Sequence, residues 1–339
     1  MRYTTLGDSG LRVSEVCLGT MTFGTDWGFG ADEATCRRQF ELFAGAGGTF
    51  VDTANRYTNG TAETMVGEFV RADRERFVVA TKYSLTTGGH PNSGGNSRRS
   101  LHTALEASLR RLQMDYVDLL WLHAWDYVTP AEEVMRALDD VVRSGKVLYV
   151  GISDTPAWIV ARMQTLAQLR GWTPLVGLQV QYSLASREPE AELIPMAHAL
   201  GLGVTAWAPL GGGLLSGKYA RPAAGDEQRR LGKDVDPAQL RVAQEVSAVA
   251  DELGVPAVQV ALAWLRAKDG VIPIVGARTV EQLEGSLGYL EIEVPQGCIR
   301  RLDEVSAVRK GFPHEFLTDN DWTGSWDLQL PAGRRFVGR

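Results

Sequence analysis

The chain has 339 residues, 44% of them apolar and 22% charged, with a formal net charge of −6. That length is long for an ordinary domain but normal for one α/β barrel of about 250 residues plus insertions, so a single domain over residues 1–339 is expected. The composition is that of a globular protein, and the mild negative charge leaves no electrostatic footprint for nucleic acid.

The N-terminal residues 2–13 read as a hairpin turning on Gly7-Asp8-Ser9-Gly10, placed to close one end of a barrel. Apolar, β-branched runs follow at 15–24, 49–54, 77–83, 117–124, 147–154, 176–183, 203–210 and 271–277. Helical patterns fill the gaps at 32–45, 61–72, 98–113, 130–144, 156–170 and 188–200. Strand-then-helix alternation predicts a parallel sheet with right-handed crossovers. Eight units favour closure into a (β/α)8 TIM barrel over an open sheet, and near-continuous apolar strands fit burial on both faces.

Helix punctuation agrees with this parse. Asp32 is placed to cap the first helix. Pro130 and Pro156 fall at helix starts, and Gly145 and Gly171 where helices should stop. Residues 211–235 form a long glycine-rich, charged stretch without periodicity, and such loops are usually functional. The tail, 310–339, carries Phe312, Phe316, Trp322, Trp326 and Phe336, which predicts a C-terminal loop docked over the barrel mouth.

Three scattered cysteines, Cys17, Cys36 and Cys298, form no metal or disulfide spacing and point to a reducing compartment. Residues 1–10 lack an apolar core, and no run approaches about 18 apolar residues. Neither a signal peptide nor a membrane span is expected, and the cytoplasm is the expected location.

Barrel enzymes place their chemistry at the C-terminal strand ends. The second strand ends in Asp52, with Tyr57 five positions on; the third ends in Lys82; the fourth ends in His123, beside Trp125. Each has a plain structural reading: an Asp there caps helices, a Lys there is solvated. Together on consecutive strands they form a coupled acid–base cluster. A nearby ammonium should lower the phenol pKa of Tyr57, Asp52 can hold Lys82, and His123 can orient a carbonyl oxygen. That set suits protonation of a carbonyl oxygen while a hydride arrives at carbon, and only a cofactor supplies hydride.

At these positions the sequence resembles the aldo-keto reductase family. The resemblance is carried by Leu18-Gly19-Thr20-Met21, Asp52-Thr53-Ala54-Asn55-Arg56-Tyr57, Thr81-Lys82, Leu122-His123, Gly151-Ile152-Ser153-Asp154, Gln179 and Trp207-Ala208-Pro209-Leu210-Gly211. It runs along nearly the whole barrel, and is nearest to aryl-alcohol-dehydrogenase-like and channel-β-subunit-like members. It implies a general acid, Tyr57, assisted by Lys82, Asp52 and His123, and NADP(H) lying across the barrel mouth near Gly19, Thr20, Met21 and Asp52. It further implies Ser153, Asp154 and Gln179 on the nicotinamide carboxamide, and Trp207, leading into Ala208 and Pro209, against the ring. Amides of Leu210, Gly211, Gly213 and Leu214, with Lys218, would take the pyrophosphate. Gly276, Ala277, Arg278 and Gln282 would surround the 2′-phosphate, with Ser286 near the adenine.

The glycine run 211–213 suits close approach of a phosphate and equally a flexible turn. Arg278, before a helix starting at Thr279, suits a phosphate or a plain surface position. Two departures stand out: Asp154 and Ser286 occupy positions where the family often has Asn, and an ionised Asp only accepts hydrogen bonds. Trp27, Phe29, Tyr57, His123 and Trp125 are the candidate substrate walls, favouring aryl or apolar carbonyls. Trp121 and Trp264 read as packing residues, His90 and His102 as surface, and residues 84–96, with four glycines, as a lid.

The leading expectation is an NADPH-dependent reductase of aldehydes or ketones, with a small-molecule partner, acting as a monomer or homo-oligomer. The alternative is a cofactor-binding regulatory module resembling channel β-subunits, with little turnover. A metal-dependent hydrolase would need a convergent ligand set, and the strand ends supply one histidine, His123.

Overall fold

Side-chain parity decides what this fold presents to its interior. The computed structural model describes residues 1–219 and 235–319. A hairpin, β1 (Tyr3–Thr5) with β2 (Arg12–Ser14), precedes eight strands. These are β3 (Cys17–Gly19), β4 (Phe50–Asp52), β5 (Val78–Tyr83), β6 (Val117–Leu122), β7 (Val147–Ser153), β8 (Leu175–Gln181), β9 (Gly203–Trp207) and β10 (Val271–Val275). They close into a barrel in that order, with β10 pairing back onto β3, and every ladder is parallel. The expected TIM barrel is therefore the observed one.

Helices follow the strands: α1 (Glu33–Gly45), α2 (Thr61–Val70), α3 (Arg98–Leu112), α4 (Ala131–Arg143), α5 (Ala157–Arg170), α6 (Leu193–Ala199), α7 (Pro237–Leu253), α8 (Ala257–Arg266) and, after β10, α9 (Val280–Leu287). After them come α10 (Gln296–Val305) and α11 (His314–Asp319). Asp32 caps α1 by accepting from the Thr35 amide at 2.8 Å. Gly171 closes α5 in the left-handed conformation, φ 64°. The helices α7, α8, α10 and α11 stand outside the expected helical ranges, and the helix expected over 188–200 is broken at Glu192 into a 3-10 turn and α6. Among the described residues, no single helix is long and apolar enough to cross a membrane.

Strand ends are shorter than the apolar runs suggest. The first run continues past Gly19, but the Thr20 amide and hydroxyl both donate to the Asp52 carbonyl, which ends the ladder. The run at 203–210 stops at Trp207 because Ala208 turns left-handed, φ 49°.

Two apolar layers follow from parity. Val51, Val79, Leu120, Leu122, Val150, Ile152, Leu178, Val204 and Ala206 face outward into the shell shared with the helices. Cys17, Phe50, Val78, Ala80, Leu119, Trp121, Ile272 and Ile274 fill the barrel interior together with Leu6 and Val13 from the hairpin region. Leu6 is fully buried, and the Asp8 amide donates to the Gly201 carbonyl at 2.9 Å, so the hairpin closes the bottom as expected. Trp121 and Trp264 are both fully buried, in keeping with their packing role. His90 is exposed, whereas His102 is half-buried with its Nε2 unpaired among the described residues, so the surface reading holds only for the first.

The Trp121 indole has room because two neighbouring strands present glycines in register, Gly151 and Gly177; Gly203, next in register, instead makes room for Leu6 and Gly7 of the hairpin region. A Cβ on Gly151 would lie 2.3 Å from the Trp121 ring, and one on Gly177 would lie 2.8 Å from it. Within the described tail, Phe312 and Phe316 pair with each other and stay exposed; Trp322, Trp326 and Phe336 lie outside the described residues. We predict that Gly151→Ala destabilises the protein by about 1–3 kcal/mol, since the ring above it has no space to yield. A urea denaturation midpoint equal to that of the parent would refute the close packing.

Candidate active site

Parity that sends Leu119 and Trp121 inward also sends the last inward residue of each strand to the mouth. Asp52 on β4, Lys82 on β5, His123 after β6, Ser153 on β7, Gln179 on β8 and Trp207 on β9 thus face one space, while Gly19 and Gly276, packed against Ile274 and each other, add no side chain to it.

Lys82 is the centre. It is 1% exposed, and its ammonium donates to an Asp52 carboxylate oxygen, to the Thr53 carbonyl at 2.9 Å and to the Tyr57 hydroxyl at 3.2 Å. All three donor protons of an ammonium are used. Burial alone would lower its pKa, but Asp52 and Tyr57 more than reverse this, so Lys82 stays charged. The second Asp52 oxygen accepts from Gln179 Nε2 at 3.1 Å. A carboxylate only accepts, so one N–H of the Gln179 amide is given to Asp52 and the second remains. Thr20, read as a cofactor contact, is buried, with its hydroxyl donating to the Asp52 carbonyl at 3.0 Å.

The Tyr57 phenol departs from expectation. Burial raises its pKa, Lys82 pulls it down, and Asp52 and Asp154 push it up; the outcome is above the ordinary value. Lys82 therefore does not lower it overall, and the phenol keeps its proton at neutral pH. His123 packs edge-on to Tyr57 with ring centroids 6.0 Å apart. Burial, reinforced by the Lys82 charge, lowers its pKa to about 3, so the imidazole is neutral.

Tyr57 stands on a strained turn that nothing in the acid–base cluster itself announces. Thr58, Asn59 and Gly60 are all left-handed, with φ of 43°, 56° and 102°. Asn-Gly is a turn signal, so the sequence carries a trace of this. The buried Thr58 hydroxyl donates to the Phe23 carbonyl at 2.6 Å and accepts from the Ala62 amide at 3.0 Å. It fastens the turn to the loop that follows β3. On that loop Trp27 meets Phe29 at 5.9 Å and Tyr57 edge-on at 6.4 Å, and its Nε1 donates to Asn59 Oδ1 at 3.4 Å. Trp125 is half-buried, its amide donating to the Asp154 carbonyl at 3.3 Å.

The opposite wall holds polar atoms still open to a ligand. The Ser153 hydroxyl and His123 Nδ1 are buried with no hydrogen-bond partner among the described residues; the Thr205 hydroxyl is another, two residues before Trp207 on the same face. Thr205 is absent from the expected set, though strand parity marks it. Asp154, left-handed at φ 39°, accepts from Trp207 Nε1 at 3.1 Å. Met21 reaches the surface at the rim.

Residues 211–216 form a 3-10 turn in which Gly211, Gly212 and Gly213 are successively left-handed, and nothing lies within 4 Å of a Cβ placed on Gly212. The Lys218 ammonium lies 3.9 Å from the same position on Gly213. This is a glycine concavity with a cation beside it, the form that takes a phosphate. Two of its expected donors are already engaged: the Gly211 amide binds the Ala208 carbonyl at 2.9 Å and the Gly213 amide the Leu210 carbonyl at 3.0 Å. Pro209 and Leu214 are buried beneath the turn, and Leu210 is half-buried. At the start of α9, Arg278 and Gln282 are exposed, and the Arg278 amide donates to Gln282 Oε1 at 3.0 Å. Ala277 is buried, its carbonyl accepting from Thr22 at 2.7 Å, and Ser286 is buried on the inner face of α9.

The loop at 84–96 is tied at its neck: the Gly95 amide donates to the Ser84 carbonyl at 2.7 Å, and buried Asn96 donates to the Ala124 carbonyl at 2.9 Å. Among the described residues no three His, Cys, Asp or Glu side chains converge as metal ligands.

The family model described as the aldo/keto reductase family matches residues 15–307. A norsolorinic acid reductase of Aspergillus flavus is 37% identical over 91% of this chain and 82% of its own length. An aryl-alcohol dehydrogenase (NADP(+)) of Phanerodontia chrysosporium is 35% identical over 91% and 87%. An uncharacterized oxidoreductase of Bacillus subtilis is 39% identical over 90% and 96%.

Two outcomes are predicted from this geometry. Thr58→Val keeps the shape but removes the hydroxyl that over-determines the strained turn. It should cut turnover about ten-fold or more while leaving cofactor affinity within two-fold, whereas Thr58→Ser stays near the parent; equal kinetics for Val and Ser would discount the clamp. His123 is neutral when folded but protonates near pH 6.5 when unfolded, so the unfolded chain binds more protons below that value. Stability should fall as pH drops from about 6.5 towards 3, and His123→Gln should flatten that slope in urea titrations.

Proposed function

Since the chain belongs to the aldo/keto reductase family, we propose that it reduces aryl or otherwise apolar aldehydes and ketones to alcohols with hydride from NADPH. The observation that carries this reading is the buried Lys82 ammonium, held by Asp52 and donating to the Tyr57 hydroxyl at 3.2 Å.

Carbonyl reduction needs a hydride at carbon and a proton at oxygen. The nicotinamide cofactor supplies the hydride when bound. Tyr57 holds the proton: its phenol is protonated at neutral pH, its oxygen accepts from Lys82, and its ring packs edge-on to His123. As the proton leaves, the Lys82 charge stabilises the phenolate that remains. Asp52 fixes Lys82, and Gln179 and Thr20 fix Asp52. Neutral His123 has one N–H to give, which can hold the carbonyl oxygen towards Tyr57. Trp27 and Phe29 line the approach with an apolar wall that keeps water from the reacting atoms.

The residues fit a nicotinamide dinucleotide. The unpaired Ser153 hydroxyl, with Asp154, suits the carboxamide, Trp207 suits the ring face, and the glycine concavity with Lys218 suits the pyrophosphate. Preference for NADPH over NADH rests on Arg278 and Gln282, exposed at the N-terminus of α9, where a phosphate is favoured by both charge and amides. The scattered cysteines support a reducing compartment, the cytoplasm.

Purified protein should show tryptophan quenching on addition of NADPH and oxidise NADPH with an aromatic aldehyde, with NADH less effective. Tyr57→Phe should lower turnover about 10²–10⁴-fold and keep the quenching. Full turnover by that variant, or oxidation of NADH in preference, would remove the corresponding part of the proposal.

A further inference from the structure

Asp154 is the one strand-end group whose charge the acid–base cluster does not use. Its position is over-determined: its amide donates to the Gln179 carbonyl at 3.4 Å, its carbonyl accepts from Trp125 at 3.3 Å, and its Oδ1 accepts from Trp207 at 3.1 Å. An uncharged Asn could accept the same bond from Trp207 with its amide oxygen. The geometry therefore explains an acceptor at this place and leaves the negative charge without a structural task.

That charge stands at the rim of the mouth, exposed and joined to the indole of Trp207. Burial raises the Asp154 pKa above the ordinary carboxylate value, while the Trp207 hydrogen bond and the Lys82 charge pull it back; Asp154 in turn contributes to raising the Tyr57 pKa, so the three groups share one field. The strand ends and Asp154 together present two carboxylates, Asp52 and Asp154, against one ammonium, Lys82, with His123 neutral. If Ser153, Asp154 and Trp207 hold the nicotinamide as proposed above, its ring would sit against this wall, across the mouth from Tyr57. Reduced nicotinamide is neutral there, and oxidised nicotinamide carries a positive charge.

We propose that the Asp154 carboxylate sets the cofactor's redox preference, binding the oxidised, cationic nicotinamide more tightly relative to the reduced form than a neutral side chain would. In the reduction, hydride leaves the ring for the carbonyl carbon and the Tyr57 proton goes to the carbonyl oxygen. The ring is left with a positive charge opposite Asp154, so the carboxylate makes the bound reduced cofactor a stronger hydride donor. Asp154 acts here on the equilibrium between cofactor states, in addition to any hydrogen bond it gives or accepts. This inference rests on the nicotinamide reading above.

The test measures dissociation constants for NADP+ and NADPH, and for NAD+ and NADH, by tryptophan quenching in the parent and in Asp154→Asn. Removing one unit charge at this partly open site should raise the oxidised-to-reduced ratio of dissociation constants about five- to ten-fold, with the shift shrinking as salt is added. Asp154→Ser serves as the second charge-free variant should the first not fold. Asp115→Asn, exposed just before β6 at the opposite end of the barrel, should leave the ratio where it is. An unchanged ratio in the Asp154 variants, or an equal shift in Asp115→Asn, overturns the inference while leaving the cofactor reading intact. Binding of neither nucleotide pair by the parent overturns both.

Discussion

One buried ion pair governs the mouth of this barrel. Lys82 and Asp52 have almost no access to water, and each is expensive to bury alone. Their mutual attraction offsets that cost only because the remaining valences are filled: Thr53 and Tyr57 complete the ammonium, Gln179 completes the carboxylate, and Thr20 pins the backbone beneath it. Removing one partner from such a pair typically costs about 3–5 kcal/mol. The arrangement is thus structural and chemical at once, since the same ammonium that satisfies Asp52 points at the Tyr57 oxygen.

The rest of the barrel serves to hold that pair still. Trp121 lies in register with Lys82 one strand over and fills the interior beneath the mouth, on a floor of glycines contributed by β7 and β8. The hairpin seals the far end with Leu6. Above, the left-handed turn at Thr58–Gly60 stores strain beside Tyr57, and the Thr58 hydroxyl ties it to the loop bearing Trp27 and Phe29. Proton donor and apolar wall are thereby mounted on one connected unit, so substrate shape and proton position are coupled.

Field and geometry combine in a way that a pairwise view misses. The ammonium beside Tyr57 would by itself favour phenolate, yet burial and two carboxylates leave the phenol protonated. A reduction needs that protonated form at the start and the stabilised phenolate at the end, and Lys82 contributes mainly to the latter. His123, stripped of its charge by burial, adds a donor without competing for the proton.

Much of this was legible in the residues. Apolar runs of strand length, alternating with capped helices, fix a parallel α/β architecture, because backbone and hydrophobic periodicity are local properties. Parity along each strand then marks Asp52, Lys82, His123, Ser153, Gln179 and Trp207 as residues of one end. What only the tertiary structure decided depends on distances between residues far apart in sequence. It joined one N–H of Gln179 to Asp52, a contact between residues 127 positions apart that the motif alone does not show. It turned Ser286 inward, engaged the amides of Gly211 and Gly213, and reversed the expected direction of the Tyr57 pKa. It revealed Thr58 as a clamp, since its partner, the Phe23 carbonyl, lies on another strand's loop. Sequence determined which side chains reach the mouth; packing determined which of their hydrogen bonds and charges remain for a ligand, because burial and partner geometry exist only once the barrel has closed.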